Sequence, residues 1–372
     1  MKLAWRELVR KPGRFTMAGV ILTLIALLLM FLGGLLDGLL ASSTGAYRVQ
    51  DAERIVYSDT SKDSLVRSRI EPDVRAQVEE AVGDGEVGGF GSIQLGARMD
   101  GRGVRDLIPV VVFGYELAPK GLPAELPGPG EVYADRSLEV EDVEVGTELL
   151  LGPARTPVEV IGFLDDSQYN GQGSLWGSLD TWRTVTDADR PDASVGEDVV
   201  QALVVRDAGD PASAATSAAI DEATGGATST LTIDEAIAAL PGVEQQTSTF
   251  NQIIGVTVVI AIVVVALFFA LLTVERTALY GVLKAIGASS TRLFLGVLFQ
   301  AVLVTLTAAA VGAAAALALD AVIPAGTIPF VATPARLLGS VVFLLFAAVV
   351  GCAFSLRRVL RIDPAAAIGG TA

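Results

Sequence analysis

Histidine is absent from the 372 residues and cysteine occurs once, at Cys352. A Ser-His-Asp or Cys-His constellation therefore cannot be assembled, and no serine sits in a G-x-S-x-G elbow. Zinc and iron sites of the common histidine or cysteine type are excluded on the same count, so no metal centre is expected. Acidic pairs such as Glu79/Glu80 and Asp165/Asp166 are what a chain with 42 acidic residues presents on a solvated surface. The five lysines, Lys2, Lys11, Lys62, Lys120 and Lys284, all fall outside any G-x-x-x-x-G-K-[ST] phosphate cradle. The chain reads as non-enzymatic, with no catalytic residues and no cofactor of its own. Any ATP it depends on is bound and hydrolysed by another polypeptide.

The stretch left to carry function is ERTALYGVLKAIGASSTR, residues 275–292, a charged, glycine-punctuated segment between two long uncharged runs. Glu275, Arg276, Lys284 and Arg292 supply charge for a protein partner. Gly281 and Gly287 bracket Val282 to Ile286, which predicts a short helix lying along a membrane face.

The elements that position this loop follow from hydropathy. Phe15 to Leu36, Asn251 to Val274, Leu293 to Leu319 and Leu337 to Leu356 are each about 20 or more residues without a charge, enough at 1.5 Å per residue to cross roughly 30 Å of hydrocarbon. Lys2, Arg6, Arg10, Lys11 and Arg14 precede the first run, and Arg357, Arg358 and Arg361 follow the last. Together with the 275–292 loop these basic segments mark the cytoplasmic side, so both termini are expected there. Residues 41–250 hold 15 basic and 37 acidic residues, a net charge of −22 against −15 for the whole chain. The acidity thus belongs to one external domain, and nucleic acid is excluded as a partner because phosphates need a basic surface.

The expected fold class is a four-helix transmembrane protein with one extracytoplasmic mixed α+β domain. Its boundaries are a cytoplasmic interfacial helix at 1–14, spans at 15–40, 251–274, 293–319 and 337–356, the external domain at 41–250, the cytoplasmic loop at 275–292, an external loop at 320–336 and a cytoplasmic tail at 357–372. Within the external domain the pattern predicts helices at Glu71 to Val82, Asp210 to Thr224 and Ile233 to Leu240, and strands at Leu107 to Tyr115 and Pro157 to Leu164. Gly121 to Gly130 and Asp187 to Asp198 read as loops. In the third span Ala308, Gly312 and Ala316 recur every four residues, which lets two helices approach closely, either within the chain or across a dimer.

The run ERTALYGVLKAIGASSTRL, the four-span order with its large external domain, and the closing RIDPAAAIGG resemble the membrane subunit of FtsX/MacB-type (type VII) ABC transporters. The opening KLAWRELVRKPGRF, the FLGGLLDGLL that ends span one, and the Ile328 to Phe330 IPF are most similar to the heme-exporter permease and DevC-like branch. The resemblance implies a permease in a bacterial plasma membrane that forms a homodimer, binds a cytoplasmic ABC ATPase through Glu275, Arg276, Gly281, Lys284, Gly287 and Arg292, and moves a hydrophobic substrate by mechanotransmission. Heme is the specific cargo it suggests. Peptide, lipoprotein or drug export is one alternative, and a non-transporting FtsX-like activator of a cell-wall hydrolase is another. For heme, Met30, Tyr47 and Glu53 carry thioether, phenol and carboxylate groups able to ligate iron. Asp37, beside Gly33, Gly34 and Gly38, is a candidate for a substrate portal.

Overall fold

The structure is a computed structural model that describes residues 12–99, 101, 103, 106–191, 196, 198–207, 216–275, 281–284, 286–323 and 328–360. It divides into two compact units, Leu39–Gln246 and the remainder of the chain. Helix α1, Pro12–Arg48, contributes residues to both, and Pro12 opens it. The segment 1–11, expected to form an interfacial helix, lies outside the described residues.

The Leu39–Gln246 unit is built on β1 (Arg54–Ser58), α2 (Pro72–Val82), β2 (Glu86–Met99), β3 (Ile108–Tyr115), β4 (Glu131–Asp135), β5 (Glu148–Leu151) and β6 (Thr156–Leu164). It continues through β7 (Gly173–Ser178), α3 (Leu179–Asp189), β8 (Ala202–Arg206), α4 (Ser217–Ala223), β9 (Thr228–Thr232) and α5 (Ile233–Ala239). The pairing order β3-β7-β4-β6-β5-β2-β8-β1-β9 carries an additional β2–β3 ladder, so six strands close into a ring. Strands β8, β1 and β9 continue from the amino-terminal half of β2, where Glu86 to Phe90 pair antiparallel with β8. Closure of this kind removes sheet edges that would otherwise offer unpaired backbone groups.

Both faces of this sheet are covered. Val110 and Val112 of β3 point into one core with Trp182 and Leu203, while Val111, Phe113 and Tyr115 point into a second with Tyr47, Tyr57, Phe90 and Trp176. Successive strand residues face opposite sides, so one strand serves two cores only when its whole length is apolar. IPVVVFGY meets that condition. The helices and strands expected at 71–82, 107–115, 157–164 and 233–240 appear within a residue or two, and α4 occupies part of the stretch expected at 210–224, of which 210–215 lies outside the described residues. Helix α3 runs to Asp189, into the stretch read from sequence as loop. Ser178 caps it by accepting a bond from Thr181 N, and Leu179, Trp182, Val185 and Thr186 form its buried face.

In the other unit, α6 (Val243–Glu275), α7 (Ser290–Val322) and α8 (Pro334–Leu360) pack with the first part of α1. By length and composition all four helices can cross a membrane. On α1, Ala18, Leu22, Ala26 and Leu29 are buried, while Met17, Val20, Leu24 and Leu28 are exposed on the opposite face. Helix α6 exposes Val256, Val259, Ile260, Val263, Leu267 and Leu271 in the same way. Apolar stripes of this length in contact with solvent are untenable in water and natural in lipid, and the chain is a multi-pass membrane protein. The small-residue row of the third span packs within the chain: a Cβ at Gly312 would lie 2.9 Å from the Cβ of Ala26, and Ala308 and Ala316 are buried. Gly351 of α8 does the same against α6, its Cβ position 2.9 Å from the Ile262 carbonyl oxygen.

Gly91 and Gly114 face each other across the β2–β3 ladder and seat the fully buried Trp182, with Cβ positions 2.6 and 2.5 Å from that side chain. A methyl group at either site has no room. Gly91→Ala or Gly114→Ala is expected to cost about 1–3 kcal/mol by overpacking, read as a lower unfolding midpoint by tryptophan fluorescence of the detergent-solubilised chain.

Candidate functional site

Two places in the membrane unit gather the residues singled out by sequence. The first is the elbow between α6 and α7. Helix α6 ends at Glu275, and Arg276 lies outside the described residues. Residues 281–284 are helical, which puts Gly281 inside the turn rather than ahead of it, and Gly281 is buried. The turn closes on Gly287, whose φ of +99° is left-handed. Ala288 N donates to Leu283 O at 2.9 Å and Gly287 N donates to Lys284 O at 3.0 Å, the paired bonds of a Schellman cap. Two residues on, the Ser289 side chain accepts from Arg292 N and starts α7. The sequence Gly287-Ala288-Ser289 therefore stops one helix and begins the next, fixing the angle of the elbow.

Leu283 packs inward with Val265, Phe269, Leu272 and Val297. Val282 and Ile286, four residues apart, point outward, and Ile286 is 79% exposed. Arg292 is exposed and Lys284 is half-buried. Sequence reading weighted the charges here and missed the apolar pair. The i, i+4 spacing of Val282 and Ile286 was the available signal. The capped turn thus presents an exposed apolar pair, with the half-buried Lys284 between them in sequence.

The second place is the Gly38 end of the first span. Asp37 accepts hydrogen bonds from Arg336 Nε at 3.1 Å, from Arg336 Nη2, and from Thr333 Oγ1 at 3.0 Å. Three glycines of α1 make this possible. The Arg336 stem lies over Gly33, the Phe330 ring over Gly34, and the Pro329 carbonyl against Gly38. Val331 N donates to Gly34 O at 3.1 Å, Ala332 N donates to Asp320 at 3.1 Å, and Phe330 stacks on Phe31 with ring centroids 5.4 Å apart. The segment 328–336 is thus fastened along the FLGGLLDGLL helix through backbone, aromatic and ionic contacts.

Met30 is buried one turn earlier, with Ala316 and Phe330. Tyr47 and Glu53 belong to the Leu39–Gln246 unit. Tyr47 is fully buried, accepts a hydrogen bond from Tyr57 Oη at 3.1 Å and stacks on Tyr169 at 5.8 Å. Burial pushes the phenols of Tyr57 and Tyr169 above their ordinary value, so this aromatic cluster is uncharged at neutral pH. Glu53 is exposed and accepts from Asp207 N at 2.8 Å. In this structure Met30 and Tyr47 make packing contacts, Glu53 ties two backbone segments, and Asp37 lines a cavity.

Residues 251–364 match the family model described as FtsX-like permease C-terminal. Over 100% of the chain and 99% of the relative, the sequence is 22% identical to a protein of Staphylococcus haemolyticus named a hemin transport system permease protein, HrtB. It is 19% identical over the same shares to a protein of that name from Staphylococcus epidermidis. An uncharacterized ABC transporter permease of Mycobacterium tuberculosis is 39% identical over 116 residues, 30% of this chain and 31% of that one.

Gly287 is expected to tolerate asparagine and to resist β-branched residues, which meet a steric penalty at positive φ of roughly 1–2 kcal/mol. In vesicles with the elbow accessible, Gly287→Val should speed tryptic cleavage at Lys284 and Arg292 severalfold over the parent, with Gly287→Asn close to parent.

Proposed function

We propose that the chain, whose residues 251–364 match the FtsX-like permease model, is an ABC transporter permease that couples a separate cytoplasmic ATPase to the movement of a hydrophobic substrate, with hemin as the first cargo to test. The carrying observation is the elbow, whose geometry is that of a rigid lever foot. A left-handed Gly287, a Ser289 cap and an inward Leu283 hold Val282 and Ile286 outward between charged residues. An ATPase surface that grips Val282 and Ile286, with Glu275, Arg276, Lys284 and Arg292 setting register, delivers its closure to α6 and α7 together. Gly281 and Gly287 matter to this foot through backbone shape.

The positive flanks of the spans support cytoplasmic termini in a bacterial plasma membrane. Residues 41–250 then form the extracytoplasmic domain, MacB-like in its place between the first two spans. The scheme is mechanotransmission by a homodimer: each state of the ATPase pair favours one arrangement of stiff helices, and the external domain follows. Helices α1 and α6, 37 and 33 residues long without a break, are suited to carry such a displacement. ATP is bound by the partner, and the permease needs no cofactor. The hemin assignment is supported by similarity along the entire chain to permeases bearing that name.

Two measurements test this. Ile286→Asp or Lys284→Glu should lower recovery of the ATPase on purified permease by about tenfold, the loss expected for a central contact, while membrane insertion stays intact. Undiminished co-purification with both changes combined would overturn the elbow as the docking foot. Hemin titrated onto the reconstituted permease–ATPase complex in lipid should raise ATP turnover and leave heme absorbance on the washed complex. Absence of both would remove hemin as cargo.

A further inference from the structure

The Asp37–Arg336 pair borders a cavity of about 290 Å³ in the membrane unit, walled by Leu29 and Asp37 of α1, Ile254 of α6, and Gly339, Ser340 and Phe343 of α8. We propose that this cavity is a recognition site for the carboxylate of an amphipathic acid, with Arg336 as its anion anchor. The proposal deepens the transport reading by naming the chemistry the cargo presents, and it rests on that reading for its place in transport.

Asp37 directly follows the first uncharged run and Arg336 directly precedes the fourth, so the pair stands at the ends of two spans. The pair is part-exposed and borders the cavity. Arg336 gives Nε and Nη2 to Asp37, and its Nη1 has no protein partner among the described residues. The guanidinium is held in place from behind: a Cβ at Gly33 would lie 2.5 Å from Arg336 Cδ, so glycine at this position lets the stem lie flat on α1. Such preorganisation reduces the ordering cost of binding. At Gly339 a Cβ would meet nothing within 4 Å, so this position of α8 leaves room at the cavity wall. The polar end of the cavity therefore offers a fixed planar donor that suits a carboxylate in two-point contact. Its other walls, Leu29, Ile254 and the half-exposed Phe343, suit an apolar body continuing into lipid. Asp37 holds the anion position and is displaced, or shares Arg336, when the ligand enters. Two sources present this chemistry, a fatty acid of the bilayer and a cargo carrying carboxylates, such as hemin.

The test uses the full chain in phosphatidylcholine vesicles with Phe343→Trp as reporter and the parent chain as background. The quenching probes are 9,10-dibromostearate and its methyl ester, with hemin and hemin dimethyl ester as a second pair. The acid is expected to half-saturate at a concentration at least tenfold below the ester, and Arg336→Gln is expected to abolish that preference. Because Arg336→Gln leaves Asp37 without its cation, Asp37→Asn supplies an independent reading. It removes the competing carboxylate and should hold or tighten acid binding severalfold. Gly339→Leu, which fills the cavity without touching the pair, should weaken the acid. Equal quenching by acid and ester in the reporter chain would overturn the site, as would an Asp37→Asn chain that loses the preference as fully as Arg336→Gln. A preference for dibromostearate without one for hemin keeps the site and assigns it to lipid acids. Hemin-stimulated ATP turnover with no acid preference in either pair keeps transport and removes the site.

Discussion

A bilayer interior offers no water to satisfy a backbone group or a charge, and the membrane unit is organised by that constraint. Each apolar run is an unbroken helix because only helical bonding satisfies the backbone within one segment. The charges that remain sit near the ends of the helices or answer one another, as Asp37 and Arg336 do. The same constraint explains the glycines of FLGGLLDGLL. With no hydrophobic drive to press helices together in lipid, close approach must come from small residues and direct hydrogen bonds. Gly33, Gly34 and Gly38 supply one, and the Val331–Gly34 and Arg336–Asp37 bonds supply the other.

That constraint also decided what could be read in advance. A run of 20 uncharged residues has few solutions, so four spans were legible from hydropathy alone, and among the described residues four helices are long and apolar enough to cross a membrane. The elbow was legible in part. Gly287 marks a stop because glycine reaches φ of +99° without penalty, and Ser289 marks a start because its hydroxyl caps an orphan N–H. The outward direction of Val282 and Ile286 was not legible, since it depends on Leu283 finding its place between α6 and α7. Partnering across 299 residues, as between Asp37 and Arg336, leaves no local trace in a sequence either.

The Leu39–Gln246 unit shows the opposite case. Its isolated elements were partly readable, whereas ring closure was not. Strand β2 contains GGFGSIQLGARM, whose glycines argue against a strand by propensity. Leu117 and Trp182 press on the sheet, so a Cβ at Gly88 or Gly91 of β2 would collide with them, as would one at Gly114 of β3 with Trp182. Tertiary packing overrode the local preference. The apolar alternation expected of a half-buried strand is missing from β3 and β8 because both faces are covered. Helix α3 was hidden by its composition: LDTWRTVTDAD is rich in threonine and aspartate, and its helical state rests on the Ser178 cap and the burial of Trp182 and Val185.

Residue type alone overstates what a candidate ligand can do, and Met30 and Tyr47 show why. Each carries an atom able to bind iron, yet each is packed away, Tyr47 with its phenol bonded to Tyr57 and Met30 against Ala316 and Phe330. Exposing either would open a core, and the loss of packing would have to be offset by the new bond. Asp37 differs because it and its partner, Arg336, border a cavity, and the proposed exchange of partners there opens no core. One guanidinium facing two carboxylates is left with a net negative charge, so the proposed exchange keeps charge balance only if Asp37 turns toward water or takes a proton. In a low-dielectric setting that balance matters more than the strength of any single contact.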